Sequence, residues 1–159
     1  MSRNANYELL ESVSAWEPAP SDSMGGTCGN IQYHVNGEYD FDSRKYKGGI
    51  LGGKSLYDAV QAPYLLARLM AGFTGLQVSA NGQEAYKTTW DTAIKHKRTG
   101  AIVTFYDWKG AASIGSCDKA LSLVKTDKGF KADLKALVRA LTDERFPHPY
   151  DGCTVGEIA

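Results

Sequence analysis

Ala101-Ile102-Val103-Thr104-Phe105-Tyr106-Asp107-Trp108 is the stretch on which the fold turns. Ile102, Val103, Phe105 and Tyr106 form an almost unbroken apolar run, the pattern of a strand at the centre of a sheet. Gly110 and Gly115 are expected to end it. Beyond a less defined segment from Asp118 to Lys125, Leu134, Leu137, Val138 and Leu141 recur at helical spacing and make the clearest amphipathic helix of the chain. Pro147 and Pro149 follow it as terminators, and residues 147–159 read as an extended tail.

Working toward the N-terminus, Glu84 to Lys97 carries two signals. Tyr86, Trp90, Ala93 and Ile94 fit one helix face, whereas Thr88, Thr89 and Thr92 raise strand propensity; the helix is the favoured reading. Leu76 to Ala80 predicts a short strand that ends at Asn81-Gly82. Ser55 is placed to cap a helix starting at Leu56, with Asp58 in its first turn. Leu56, Ala59, Val60, Leu66, Ala67 and Met70 continue that helix, Pro63 kinks or divides it, and Gly72 and Gly75 are its candidate stops.

Ile31-Gln32-Tyr33-His34-Val35 and Glu38-Tyr39-Asp40-Phe41-Asp42 both alternate with period two about Asn36-Gly37, which predicts a hairpin with a tight turn. Before it, Leu9, Leu10, Val13 and Trp16 predict a short helix that Pro18 and Pro20 stop. Residues 17–30 concentrate Pro, Ser, Asp and Gly and read as a flexible loop or arm. No linker divides the chain, so residues 1–159 are expected to form one α+β domain, a mainly antiparallel or mixed sheet with helices packed on it.

Composition sets the class. A chain of 159 residues with 43% hydrophobic and 23% charged side chains lies near globular averages and is long enough to bury a core without staples. Eighteen basic and eighteen acidic side chains cancel, which removes the long-range attraction that drives non-specific binding to nucleic acid or anionic membranes. No basic segment followed by an apolar run marks a secretory signal, and Asp58, Pro63 and Arg68 interrupt the least charged stretch. The expectation is a soluble protein of the cytoplasm or another intracellular compartment, with no membrane contact. Three dispersed cysteines, Cys28, Cys117 and Cys153, agree with a reducing environment.

Four patterns could carry chemistry. Gly48-Gly49-Ile50-Leu51-Gly52-Gly53-Lys54-Ser55 matches the phosphate-loop spacing, in which backbone amides surround phosphates, Lys54 contacts them and Ser55 holds magnesium. Polar and charged residues 42–47 precede it where a buried strand belongs, so a glycine turn leading to a capped helix competes with nucleotide binding. Lys109-Gly110 through Gly115-Ser116-Cys117 repeats that spacing after a convincing strand, and offers Gly110, Gly115 and Ser116 to an anion. Cys117, at a helix start, is a candidate nucleophile with His34, His96 or His148 as base and Asp107 or Asp151 as orienting acid. A small buried hydrophobe is the competing reading of that thiol. Finally, Cys28 with His34 and His148 with Cys153 would form a zinc set if the ends of the chain met. The patterns imply no cofactor.

Glu38, Asp40 and Asp42 are expected on one strand face, with Tyr39 and Phe41 on the other. The basic run Lys95-His96-Lys97-Arg98 is a weak phosphate-contacting candidate. Nine tyrosines, three tryptophans and five phenylalanines accompany seventeen glycines, and tyrosine is enriched where proteins meet. No catalytic set is complete at diagnostic spacing. The leading expectation is therefore a non-catalytic domain, an inhibitor included, that binds a protein or small ligand through glycine-rich loops and Tyr33, Tyr39, Tyr46 and Trp108. A thiol hydrolase or amidase built on Cys117, and phosphate binding at Gly48 to Ser55, are the alternatives.

Overall fold

The computed structural model describes residues 4–20, 31–80 and 88–146. The chain opens with α1 (Ala5–Ser12), a 3₁₀ turn (Val13–Ala15) and β1 (Trp16–Ala19). It continues with α2 (Ile31–Asn36), β2 (Gly37–Asp40), β3 (Lys45–Gly48), α3 (Leu56–Ala59) and α4 (Ala62–Gly72). The remaining elements are β4 (Val78–Ala80), β5 (Trp90–His96), β6 (Ile102–Trp108), β7 (Ala111–Ser116), α5 (Asp118–Thr126) and α6 (Lys128–Leu141).

β5, β6 and β7 form an antiparallel meander with β6 between its neighbours, as the apolar run of residues 101–108 predicts. β1 and β4 divide the outer edge of β5, opposite Ala93–His96 and Trp90–Thr92 respectively. Pro18 is tolerated in β1 because an edge strand leaves amide positions outside the ladder. β2 and β3 form a separate two-stranded sheet. The fold is α+β, and helices pack against one face of the main sheet. Trp90, Ile94, Val103, Phe105 and Ile114 meet Leu9, Leu65, Leu69, Phe130, Leu134 and Leu137 there in one buried cluster. Among the described residues no helix is long and apolar enough to cross a membrane.

Several elements follow the sequence closely. Ser55 caps α3 by accepting the Asp58 amide at 3.1 Å, and the predicted helix divides before Pro63, which sits in the first turn of α4. The amphipathic stripe of α6 buries Phe130, Leu134, Leu137, Val138 and Leu141.

Other elements depart from it, each for a definite reason. Residues 31–35 are helical: Ile31 and Val35 are fully buried one helical turn apart, while Tyr33 between them is 70% exposed, a contrast that only the helical period produces. The hairpin therefore lies one segment later, with β2 paired to β3 and Phe41 to Arg44 as its loop. Residues 90–96 are a strand, because Trp90, Thr92, Ile94 and His96 are all buried at period two. β1 takes up residues 17–19 of the expected arm, with Trp16 and Ala19 buried, and residues 21–30 of that arm lie outside the described residues. Gly115 does not end a strand but lies inside β7, opposite Thr104.

Candidate functional site

The phosphate-loop spacing at Gly48 to Ser55 produces no phosphate cradle. β3 before it is an exposed strand of the small sheet, and α3 after it is four residues long. Its first amides already have acceptors: Leu56 N–H donates to Asn36 Oδ1 at 2.9 Å and Asp58 N–H to Ser55 Oγ. The Ser55 hydroxyl itself donates to Asp58 Oδ2 at 2.9 Å, and Lys54 Nζ lies 3.1 Å from Glu144 Oε1. Gly53 holds φ of +112°, a conformation the turn requires and other residues resist.

The repeat of that spacing is architectural too. Lys109 and Gly110, at φ of +50° and +83°, form the two-residue turn joining β6 to β7, the geometry of a primed hairpin turn. Gly115 and Ser116 pair within β7 against Thr104 and Val103. Their amides belong to a sheet rather than to an anion nest.

Cys117 stands at the N-cap of α5, half-buried, and its sulfur accepts the Ile102 amide at 3.3 Å. Among the described residues it has no histidine partner. His34 sits on α2, where partial burial and the charges of Lys125 and Lys131 lower its pKa. His96 is 1% exposed, held between Thr99 Oγ1 at 2.9 Å and Asp133 Oδ2 at 2.8 Å, with the rings of Trp16 and Phe130 against it. It bolts the end of β5 to α6, so it is unavailable as a base and as part of a basic patch. Asp107 accepts the amides of Thr89 and Trp90 and the Thr89 hydroxyl, which fixes the start of β5. Cys28 and residues 147–159, with His148, Asp151 and Cys153 among them, lie outside the described residues, and so do three of the four zinc candidates and two of the six thiol candidates. Among the described residues no three potential ligands cluster around a metal position.

The aromatic candidates converge better. Tyr39 and Tyr46 are opposed across β2 and β3, with ring centroids 5.0 Å apart and tilted edge to face. Phe41, two residues beyond Tyr39, lies 4.9 Å from it, also edge to face, and is 83% exposed. The alternation seen in the sequence puts charge on the opposite face, where Glu38 faces Lys47 and Asp40 faces Lys45. Asp40 also accepts a salt bridge from Lys47 at 2.8 Å, and this bond holds its pKa below the usual carboxylate range. The loop is ordered locally: Asp42 and Ser43 donate to the Asp40 carboxylate, and the Arg44 amide to the Asp40 carbonyl at 2.8 Å.

The hairpin is anchored at its base. The Ile50 and Leu51 amides donate to the His34 and Val35 carbonyls, and a Cβ on Gly49 would collide with the Asn36 carbonyl. Tyr33 is exposed on α2, the helix that feeds directly into β2. Trp108 belongs to a different place, at the end of β6, where Lys109 Nζ lies 5.8 Å from its ring centroid. Phe41 adds a third ring to the tyrosine pair, and its period-two relation to Tyr39 marks it in the sequence. Comparison of the chain with protein-family models, curated proteins and solved structures finds no match to any of them.

Proposed function

We propose that this protein is a non-catalytic binding domain whose principal contact surface is the aromatic face of the β2–β3 hairpin, with a protein as its partner. The observation that carries the reading is the set Tyr39, Phe41 and Tyr46: Tyr39 packs edge to face against each of the other two rings, and Phe41 is 83% exposed. A large ring left in water at a hairpin tip forgoes its burial free energy in the free protein, and recovers it when a partner pocket takes the ring. Edge-to-face packing and the Asp40–Lys47 bridge restrict the rings before contact, which lowers the entropy cost of binding. The charged reverse face keeps the hairpin solvated.

The test substitutes Tyr39, Phe41 and Tyr46 together by serine in the full chain. Because these rings lie outside the main core, the variant is expected to retain the melting temperature of the wild type within a few degrees. In extracts of cells that produce the protein, wild type is expected to elute on gel filtration in a complex, and the variant as the free chain. Identical elution of the two folded proteins contradicts the proposal.

A further inference from the structure

α4 buries Ala62, Leu65 and Leu69 in its apolar stripe, and with them Arg68, which is 9% exposed. A guanidinium in that position breaks the binary pattern of the helix, and such conflicts between local pattern and fold concentrate at functional places. Arginine carries five N–H donors. Nη1 donates to the Leu141 carbonyl at 2.8 Å, and among the described residues Arg68 makes no second hydrogen bond. The Phe146 ring lies 4.9 Å from Cζ and satisfies none of the N–H groups. Burial pulls the Arg68 pKa down and Asp143 pushes it back, and arginine stays charged throughout the accessible range.

This under-bonded cation lines a cleft of about 610 Å³, between α3 and α4 on one side and the turn from β6 to β7 on the other. Tyr57, Pro63 and Tyr64 supply flat apolar wall, and Gly110 and Ala112 leave the opposite wall low. The volume is that of a small-molecule site, and the lining sets flat ring surfaces beside polar groups, with Arg68 its one cation. Asp58 also lines the cleft, so a single positive charge faces a nearby negative one. The cleft therefore holds no excess positive charge to neutralise a dianion such as phosphate. A monoanion matches the one guanidinium.

We propose that this cleft binds a small monocarboxylate with a flat apolar body, its carboxylate paired to Arg68 and its body against Tyr57 and Tyr64. Planar guanidinium and planar carboxylate are matched for two parallel N–H···O bonds, the geometry that distinguishes arginine from lysine. The site is separate from the aromatic hairpin, and either could fail without the other.

Benzoate is the probe. In an amide NMR titration of the full chain up to about 50 mM, the weak end of measurable affinity, saturable shifts are expected at Gln61, Gly110 and Ala112. Arg68→Lys, which keeps the charge and loses the fork, is expected to weaken binding about tenfold, the worth of one charge-assisted hydrogen bond. Tyr57→Ser touches only an exposed wall, so it serves if Arg68→Lys fails to fold, and several-fold weakening is expected. Inorganic phosphate over the same range is expected to leave those amides unmoved. Absence of saturable shifts in wild type overturns the proposal, as does unchanged benzoate affinity in a folded Arg68→Lys or in Tyr57→Ser. Phosphate moving the same amides as strongly as benzoate overturns the monocarboxylate assignment.

Discussion

Asp91 sits in the middle of the main sheet, opposite Tyr106 on β6 and Ser79 on β4, and its Oδ1 is buried without a hydrogen-bond partner. Burial raises its pKa, so the ionised carboxylate is disfavoured in the folded chain relative to the unfolded one. A raised acid pKa means that the folded state binds the proton more tightly, and stability falls as pH rises from the ordinary aspartate range through the folded-state value. Asp91→Asn, which removes the charge at constant shape, is therefore expected to stabilise the protein above that window and to be near neutral well below it. Chemical denaturation at several pH values checks this; a variant equally or less stable than wild type at neutral pH contradicts it. Arg68 shows the same principle from the other side. In the sequence Arg68 is one charge among the apolar residues Ala62, Leu65 and Leu69, and hydropathy alone marks it only as an interruption.

At the scale of elements, the legible parts are those whose burial falls on unambiguously apolar side chains. β6 and α6 bury Val103, Phe105, Leu134 and Leu137 and are read from the pattern directly. β5 was obscured because half of its buried face is Thr92 and His96, polar residues that the core accepts only through partners: Gln77 takes the Thr92 hydroxyl at 2.6 Å, and Thr99 and Asp133 take His96. α2 was obscured because six residues holding Ile31, Tyr33 and Val35 satisfy either period, and packing against β7 and α5 decides between them. The site suffers the same limitation. Glycine spacing marks turns wherever they occur, whereas an anion cradle depends on free amides, and those of Leu56 and Asp58 are capped by Asn36 and Ser55. The start of α6 offers a sharper test of element energetics. Asp127 caps it by accepting the Phe130 amide at 2.9 Å and pairs with Arg98 at 2.7 Å. The bond to Arg98, then that to Phe130, lowers its pKa. A depressed acid pKa contributes stability that is present above the ordinary aspartate range and lost as pH falls through the folded value. Asp127→Ala is accordingly expected to lower the denaturation midpoint near neutral pH, with the difference from wild type closing in strong acid. A difference that persists unchanged at about pH 2 rules out this linkage.

On the scale of the whole molecule, the proposed contact surface lies on the small sheet, apart from the main one. The main sheet and its helices hold the candidate nucleophile, the buried histidine and both glycine loops in structural roles. Among the described residues, the rings of the β2–β3 hairpin lie outside the buried cluster. Net charge is zero over the chain, so recognition is expected to depend on ring burial rather than on long-range steering, and to be weakly sensitive to salt. The most direct test places a photo-crosslinking benzoylphenylalanine at Phe41, at the hairpin tip, and in a second protein at Lys135, exposed on α6. Irradiated in cells that make the protein, the first is expected to give one dominant adduct with another polypeptide, abolished when Tyr39 and Tyr46 are also changed to serine, and the second none of that mass. The same adducts from both positions, or none from position 41, would contradict the hairpin as the binding surface.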